Sequence, residues 1–235
     1  MESLALSEVE WVDDIWGYDK PTVMQISSRV VAILSLTTLG HLSSHAARAD
    51  EIPMMKAVVA HEYGGPEVLK FEEVPRPEPK ENEVLVRVIA SGVNPADPLT
   101  LSGKYAREFG THLPLIPGYD IAGIVEKTGV KVTKLKAGDA IYGYPTFGGG
   151  WAEYVTVTGG EVAAKPASLS FTEAAAVPMG ALTAWQALVD TAQLQLGQTI
   201  LIHGGSGGVG SFAVQIAKAR GAGSSRPPRR QTRIS

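Results

Sequence analysis

From Met55 onward the chain is a succession of short apolar or alternating runs, each closed by turn-forming residues. Residues 56–60 (Lys-Ala-Val-Val-Ala), 83–90 (Glu-Val-Leu-Val-Arg-Val-Ile-Ala), 123–127, 139–143 and 151–157 read as β-strands, and 83–90 alternates well enough to have one buried face. His-Glu-Tyr-Gly-Gly-Pro at 61–66 and Lys-Ala-Gly-Asp at 136–139 are breakers between them. Pro75, Pro77 and Pro79 alternate with polar residues, which predicts an extended link outside any helix. Many short strands separated by Gly-rich turns imply a partly closed β barrel.

Near Ser170 the period changes. Thr172 and Glu173 open an Ala-rich helical stretch and Pro178 interrupts it. Residues 181–191 resume it, with Leu182, Trp185, Leu188 and Val189 on one face. Residues 199–203 (Thr-Ile-Leu-Ile-His) then read as a short buried parallel strand, with His203 packing at its end. Val209, Phe212, Ala213, Ile216 and Ala217 mark a following helix. Between strand and helix, Gly205, Gly207 and Gly210 satisfy G-x-G-x-x-G in the context that gives the motif meaning. The first glycine permits a tight turn, the second admits a pyrophosphate to backbone N–H groups, and the third lets helix pack on strand. Gly205, Ser206, Gly207, Gly208, Val209 and Gly210 are therefore the candidate dinucleotide-binding residues.

A second strand carrying a ribose-reading residue is expected next. Residues 223–235 (Gly-Ser-Ser-Arg-Pro-Pro-Arg-Arg-Gln-Thr-Arg-Ile-Ser) stand there instead, and no strand is expected from them. That leaves the first strand without a parallel partner, so weak or absent dinucleotide binding is expected. One permissible codon choice for this tail, shifted by two nucleotides, reads Val-Ile-Ala-Thr-Ala-Ser-Ala-Ala-Asn-Ala-Asp-Phe, an apolar strand and loop. The nucleotide sequence tests that frameshift reading.

Composition narrows the chemistry. With 235 residues, 44% hydrophobic and 19% charged, and a net charge of −3, the chain has room for one large or two modest globular domains and no character of a nucleic-acid binder. Only the tail, 226–233, is basic. Cysteine is absent, which removes disulfides, thiolate zinc sites and a Cys nucleophile. The five histidines lack ligand spacing, so no metal site is expected, and no G-x-S-x-G elbow suggests a serine hydrolase. Arg29, the apolar stretch 30–40 and Ala47-Arg48-Ala49 have the form of a secretory signal over 24–49, preceded at 1–23 by an over-extended start. The stretch is shorter than the roughly 20 residues needed to span a bilayer. Use of that signal implies export to a periplasm; translation from Met54 or Met55 implies a cytoplasmic protein.

A set of motifs carries a resemblance: Gly-Gly-Pro-Glu-Val-Leu at 64–69, Ser-Gly-Val-Asn-Pro-Ala-Asp at 91–97, Pro-Gly-Tyr-Asp-Ile-Ala-Gly-Ile-Val at 117–125, Leu-Thr-Ala-Trp-Gln-Ala-Leu at 182–188 and His-Gly-Gly-Ser-Gly-Gly-Val-Gly at 203–210. In this order they resemble the zinc-independent quinone oxidoreductase (zeta-crystallin-like) branch of the medium-chain dehydrogenase/reductase superfamily, over about 55–222. The resemblance implies an α/β chain with a β barrel. A GroES-like catalytic domain at 50–177 would precede the first β-α unit of a Rossmann domain at 178–222, with the active site in the cleft. The rest of the Rossmann sheet and the family's C-terminal return segment are not in the sequence, so both domains are expected to be incomplete, with 223–235 an unrelated tail.

The resemblance also implies hydride transfer from NADPH, with NADH not excluded, to a quinone or α,β-unsaturated carbonyl without zinc. Asn94, Asp97 and Tyr105 would be its catalytic residues and Thr183 would lie near the nicotinamide. Leu99 stands where many relatives have a second tyrosine. Tyr119-Asp120 stands where zinc-using relatives carry His-Glu. Asn94-Pro95 is equally an ordinary turn, and Thr183 equally a plain helix residue. The family is often homo-oligomeric. Two alternatives stay open: a non-catalytic fragment or β-barrel binding module, and an enoyl-thioester reductase.

Overall fold

β3 (Glu83–Ser91) and β4 (Ile121–Thr128) organise the molecule: Val84, Leu85 and Val86 are buried in succession, as are Ile121, Ala122 and Gly123, so both strands are covered on both faces there. The computed structural model describes residues 52–105 and 112–225; the expectations for 1–23, for the signal-like 24–49 and for 226–235 lie outside the described residues. β1 (Met54–Ala60) and β2 (Leu69–Pro75) form an antiparallel hairpin joined through a single 3₁₀ turn at Pro66–Val68. β5 (Ala140–Gly143), β6 (Tyr154–Thr158) and β7 (Val162–Ala164) join β3 and β4 in an antiparallel sheet of order β6-β3-β4-β5-β7. Register shifts between Leu85 and Val86, and between Val88 and Ala90, bend β3 against β4 and curl the sheet into a half-barrel. Its interior holds Val84, Val86, Ile121, Val125, Ile141, Val155 and Val157. Single bridges, Ala57 to Ala152 and Ala60 to Leu115, fasten the hairpin to the loops.

Ile121 is fully buried in that interior. Ile121→Ala is expected to cost about 3 kcal/mol, the lost transfer energy plus the cavity left behind. A fall in the urea midpoint without a change of slope measures it.

The helical half follows. Ser170 and Glu173 make a reciprocal capping box that starts α2 (Phe171–Ala174). α3 (Pro178–Trp185) has Pro at its first position and continues into a π-helical turn over Gln186–Thr191. β8 (Thr199–Leu201) leads through the glycine loop into α4 (Gly208–Ala219). The core here is built largely of alanine: Ala184, Ala213, Ala217 and Ala222 pack with Leu188, Leu194 and Ile202. A Cβ at Gly180 would stand 3.1 Å from the Phe212 ring, so α3 and α4 approach closely there.

Several expectations change. Gly223–Ser225 forms β9 and pairs in parallel with β8, Thr199 opposite Gly223 and Leu201 opposite Ser225. The ladder uses backbone groups only, so a Gly-Ser-Ser run can supply it. β8 is shorter than 199–203 and is not buried: Leu201 is 56% exposed, and His203 is an exposed turn residue rather than a packing one. Pro178 starts a helix rather than interrupting one, because the first helical position needs no N–H. Of the expected apolar face, Leu188 is buried but Leu182 and Trp185 are exposed, and Ala184 is buried where the helices pack closely. Trp151 precedes β6 instead of opening it, and β2 and β7 add strands that alternation did not reveal.

Candidate active site

The site begins where β3 ends. Asp120 O accepts from Gly92 N–H (2.9 Å) and from Ser91 Oγ (2.8 Å), which brings residues 91–97 against the segment leading into β4. α1 (Ala96–Leu101) starts directly after Asn94-Pro95. Asp97, in its first turn, is fully buried. Its Oδ2 accepts from Asn94 N–H at 2.6 Å and its Oδ1 from Gly118 N–H at 2.8 Å. Burial pushes the Asp97 carboxyl above its ordinary value; the two amides pull it down and the Asp120 charge pushes it further up, with burial prevailing.

Asn94 is half-buried, and its carboxamide is held at both ends. Oδ1 accepts from Ala96 N–H at 3.1 Å and Nδ2 donates to Asp120 Oδ2 at 3.0 Å. Asp120 Oδ1 in turn accepts from Met179 N–H at 2.7 Å, in the first turn of α3. One turn later Thr183 Oγ1 donates to Met179 O at 2.7 Å. Asp120 thus joins the barrel loop to the helix that carries Thr183. Burial raises its carboxyl too, against the lowering effect of Met179 N–H and Asn94.

Beside this network lies a group of phenols. Thr100 has one hydroxyl proton and places it on Ala96 O (3.0 Å), so in the 2.7 Å contact between Thr100 Oγ1 and Tyr119 Oη the tyrosine donates. Tyr119 stacks on Tyr144 with ring centroids 5.9 Å apart. Burial raises both phenols, and Tyr105 lies close enough to push each further up. Thr100, Leu115, Ile116, Tyr119 and Phe147 line a cavity of about 360 Å³. A second, apolar cavity of about 580 Å³ separates the barrel edge at Tyr142 and Val162 from Leu182, Trp185 and Phe212.

The glycine loop supplies a different surface. Gly204, outside the motif's spacing, is the left-handed residue of the turn (φ 64°), so the tight turn expected of Gly205 falls one position earlier. Gly207 N–H donates to Gly204 O at 2.8 Å and caps α4 without a side chain. The first amides of α4 therefore have no side-chain acceptor. A Cβ at Gly204 or Gly208 would meet nothing within 4 Å, and Ser206, Gly207, Gly208 and Val209 are exposed. An open backbone cradle at an uncapped helix start fits a dinucleotide pyrophosphate.

Of the residues read from the sequence, Asn94 and Asp97 share one network, Thr183 reaches it through Met179 and Asp120, and Tyr105 adjoins it through the other two tyrosines. Gly205 to Gly210 form the separate cradle. Asp120 enters the sequence reading only as the occupant of a place where other proteins carry a metal-binding pair. An acidic residue set among apolar ones, in Gly-Tyr-Asp-Ile-Ala at 118–122, was the available signal of a buried carboxylate.

A curled antiparallel half-barrel, followed by a β-α-β unit with a glycine cradle, is the architecture of the alcohol dehydrogenase class. Residues 80–167 match the alcohol dehydrogenase GroES-like domain. The chain is 42% identical over 167 residues to a quinone oxidoreductase of Lama guanicoe, covering 71% of this chain and 50% of that one. It is 37% identical over 206 residues to an NADPH-dependent alkenal/one oxidoreductase, chloroplastic, of Arabidopsis thaliana, covering 83% and 53%. The solved quinone oxidoreductase of Coxiella burnetii superposes with a TM-score of 0.67 at 36% identity, over 74% of this chain and 56% of that one. The chain belongs to the medium-chain dehydrogenase/reductase superfamily, in its quinone oxidoreductase branch. It spans about half the length of the curated relatives it matches.

Proposed function

We propose that the chain forms the barrel side and the pyrophosphate cradle of a zinc-independent, NADPH-dependent reductase of quinones or α,β-unsaturated carbonyls. The observation that carries this reading is the single carboxylate, Asp120, bonded both to Asn94 on the barrel loop and to the helix bearing Thr183. It holds the two candidate polar contacts for a carbonyl and a nicotinamide in one rigid frame. The printed activities of the relatives, on quinones and on alkenals and enones, support the substrate class.

NADPH, when bound, supplies the hydride; the protein's part is to orient two rings and keep water out. Gly205 to Gly210 would hold the pyrophosphate on the open cradle and the first turn of α4. Thr183, its proton committed to Met179 O, keeps lone pairs that can accept from a carboxamide N–H. Asn94 would face the substrate oxygen. Asp97 has both oxygens occupied by backbone amides, so its part is to fix the loop rather than to exchange a proton. The raised phenol of Tyr119 stays protonated and lines the cavity, and Tyr105, close enough to influence it, is a second candidate to donate to a reduced oxygen.

β9 beside β8 gives the cradle the parallel neighbour that the sequence reading lacked. The test is a titration of the 235-residue chain with NADPH, followed by nicotinamide fluorescence. Saturable enhancement that Gly207→Asp abolishes is expected, because a carboxylate placed in the cradle repels phosphate. No binding by the unaltered chain would reject the reductase reading in favour of a binding module.

A further inference from the structure

The hydrogen bonds through Asp120 run in a fixed direction, and the direction has a chemical consequence. Met179 N–H and Ala96 N–H are backbone donors and cannot turn round. Ala96 N–H obliges the Asn94 carboxamide to present Oδ1 to it, which turns Nδ2 toward residue 120. Residue 120 therefore receives donors at both of its oxygens, and of the side chains of this size only a carboxylate accepts at both. One Nδ2 hydrogen of Asn94 goes to Asp120, and the other has no acceptor among the described residues. The residue is half-buried, so part of it is open to solvent.

We infer that Asp120 is a positioning residue that fixes the polarity of Asn94, so that position 94 offers an N–H donor to the carbonyl oxygen of a bound ligand. The ligand half of this inference rests on the proposed function; the orienting half stands on the hydrogen bonds alone. Asp120→Asn reverses the pattern. The carboxamide introduced at position 120 must keep its oxygen on Met179 N–H, so its NH₂ faces Asn94. Asn94 then turns over and gives its carbonyl oxygen to position 120, which leaves Ala96 N–H opposite an NH₂ group. The exchanged pair, Asn94→Asp with Asp120→Asn, satisfies every donor again. Its carboxylate, now at position 94, accepts from Ala96 N–H and from the NH₂ at position 120, whose carbonyl oxygen still accepts from Met179 N–H. It leaves no donor at position 94.

The experiment uses the full ¹⁵N-labelled chain, with the Asn94 side-chain resonances assigned by their loss in Asn94→Ala. Asp120→Asn is expected to remove the downfield shift of one Asn94 δ2 proton and to speed Ala96 amide exchange by about tenfold, the scale of one lost buried hydrogen bond. The exchanged pair is expected to restore Ala96 protection. Unchanged δ2 shifts and unchanged Ala96 exchange in Asp120→Asn would overturn the orienting role. Failure of the exchanged pair to restore protection would overturn it as well.

Tetramethyl-p-benzoquinone is then titrated into the unaltered chain. Movement of the second δ2 proton is expected, and the exchanged pair should bind at least about tenfold more weakly although its fold is restored. Quinone shifts at Thr100 and Tyr119 that bypass Asn94 would overturn the donor role. No shift anywhere would reject the quinone reading, and the donor role with it, while the orienting role is decided by the first arm.

Discussion

Asp97→Ala is expected to lose about 3 kcal/mol of stability and to release the loop that carries Asn94. Both carboxylate oxygens are engaged by backbone amides, Asn94 N–H at 2.6 Å and Gly118 N–H at 2.8 Å, and the side chain is fully buried. Each orphaned buried amide costs about 1–3 kcal/mol, and water admitted to the cavity recovers part of it. Asp97→Asn should lose roughly half as much, because its carboxamide can accept from one amide while its NH₂ faces the other. The pH dependence gives a second signature. The folded carboxyl titrates above its ordinary 3.8, so between those two values the native state holds more protons than the unfolded one. Stability contributed by this group is therefore greatest below the ordinary value and falls as pH rises through the folded one. Asp120 shifts in the same direction, so Asp97→Asn should shallow that slope without abolishing it. Urea midpoints of the two proteins, taken across the acid range, measure both effects. An Asp97→Asn protein as stable as the parent would show that the two amides do not depend on the carboxylate.

Gly210→Ala is expected to displace the cradle from α4. A Cβ at 210 would stand 2.2 Å from Gly204 O, 2.7 Å from Gly204 C and 2.9 Å from Gly205 Cα. All three are backbone atoms, so no side chain can swing aside and the whole turn must lift. Overpacking of this kind costs about 1–3 kcal/mol. The loss should fall on the helical half, leaving the barrel interior unaffected. Amide exchange at Ala213 and Ala217 should quicken while that at Val86 and Val125 holds, and NADPH affinity should drop by about tenfold or more, a factor worth about 1.4 kcal/mol. Gly208→Ala is the control for amide exchange, since a Cβ there meets no protein atom within 4 Å. Equal exchange rates in parent and Gly210→Ala would refute the close-approach account.

The elements that could be read from the sequence are those whose side chains report their surroundings. β3 and β4 carry apolar runs, Val84 to Val86 and Ile121 to Val125, that are largely buried, and those runs gave them away. β2 did not: Phe71 is 72% exposed, and the strand exists because its backbone registers against β1, Val58 opposite Phe71. β9 is the extreme case, a three-residue Gly-Ser-Ser strand defined by its backbone ladder. Of the helix face read at Leu182, Trp185, Leu188 and Val189, Leu188 is buried and Val189 packs on the core, while Leu182 and Trp185 are exposed and Ala184 takes the fully buried place. Within the site, Asn94, Asp97, Thr183 and the glycine loop sit in recognisable local motifs. Asp120 acquires its part from partners 26 residues before it and 59 after it, a relation no local pattern records.

The alanine core of the helical half has a consequence for ligand dependence. Ala184, Ala213, Ala217 and Ala222 bring α3, α4 and β9 close together, yet each buries far less apolar surface than the valines and isoleucines of the barrel. Dense packing and a small hydrophobic return coexist there, so this half is expected to open at lower free energy than the barrel, a difference that amide exchange measures. A dinucleotide bound across the cradle would stabilise the closed form in proportion to its occupancy. If the chain binds NADPH as proposed, the order of the helices would gauge cofactor supply: the barrel would persist when the cofactor is scarce, and the helical half would tighten as it becomes abundant.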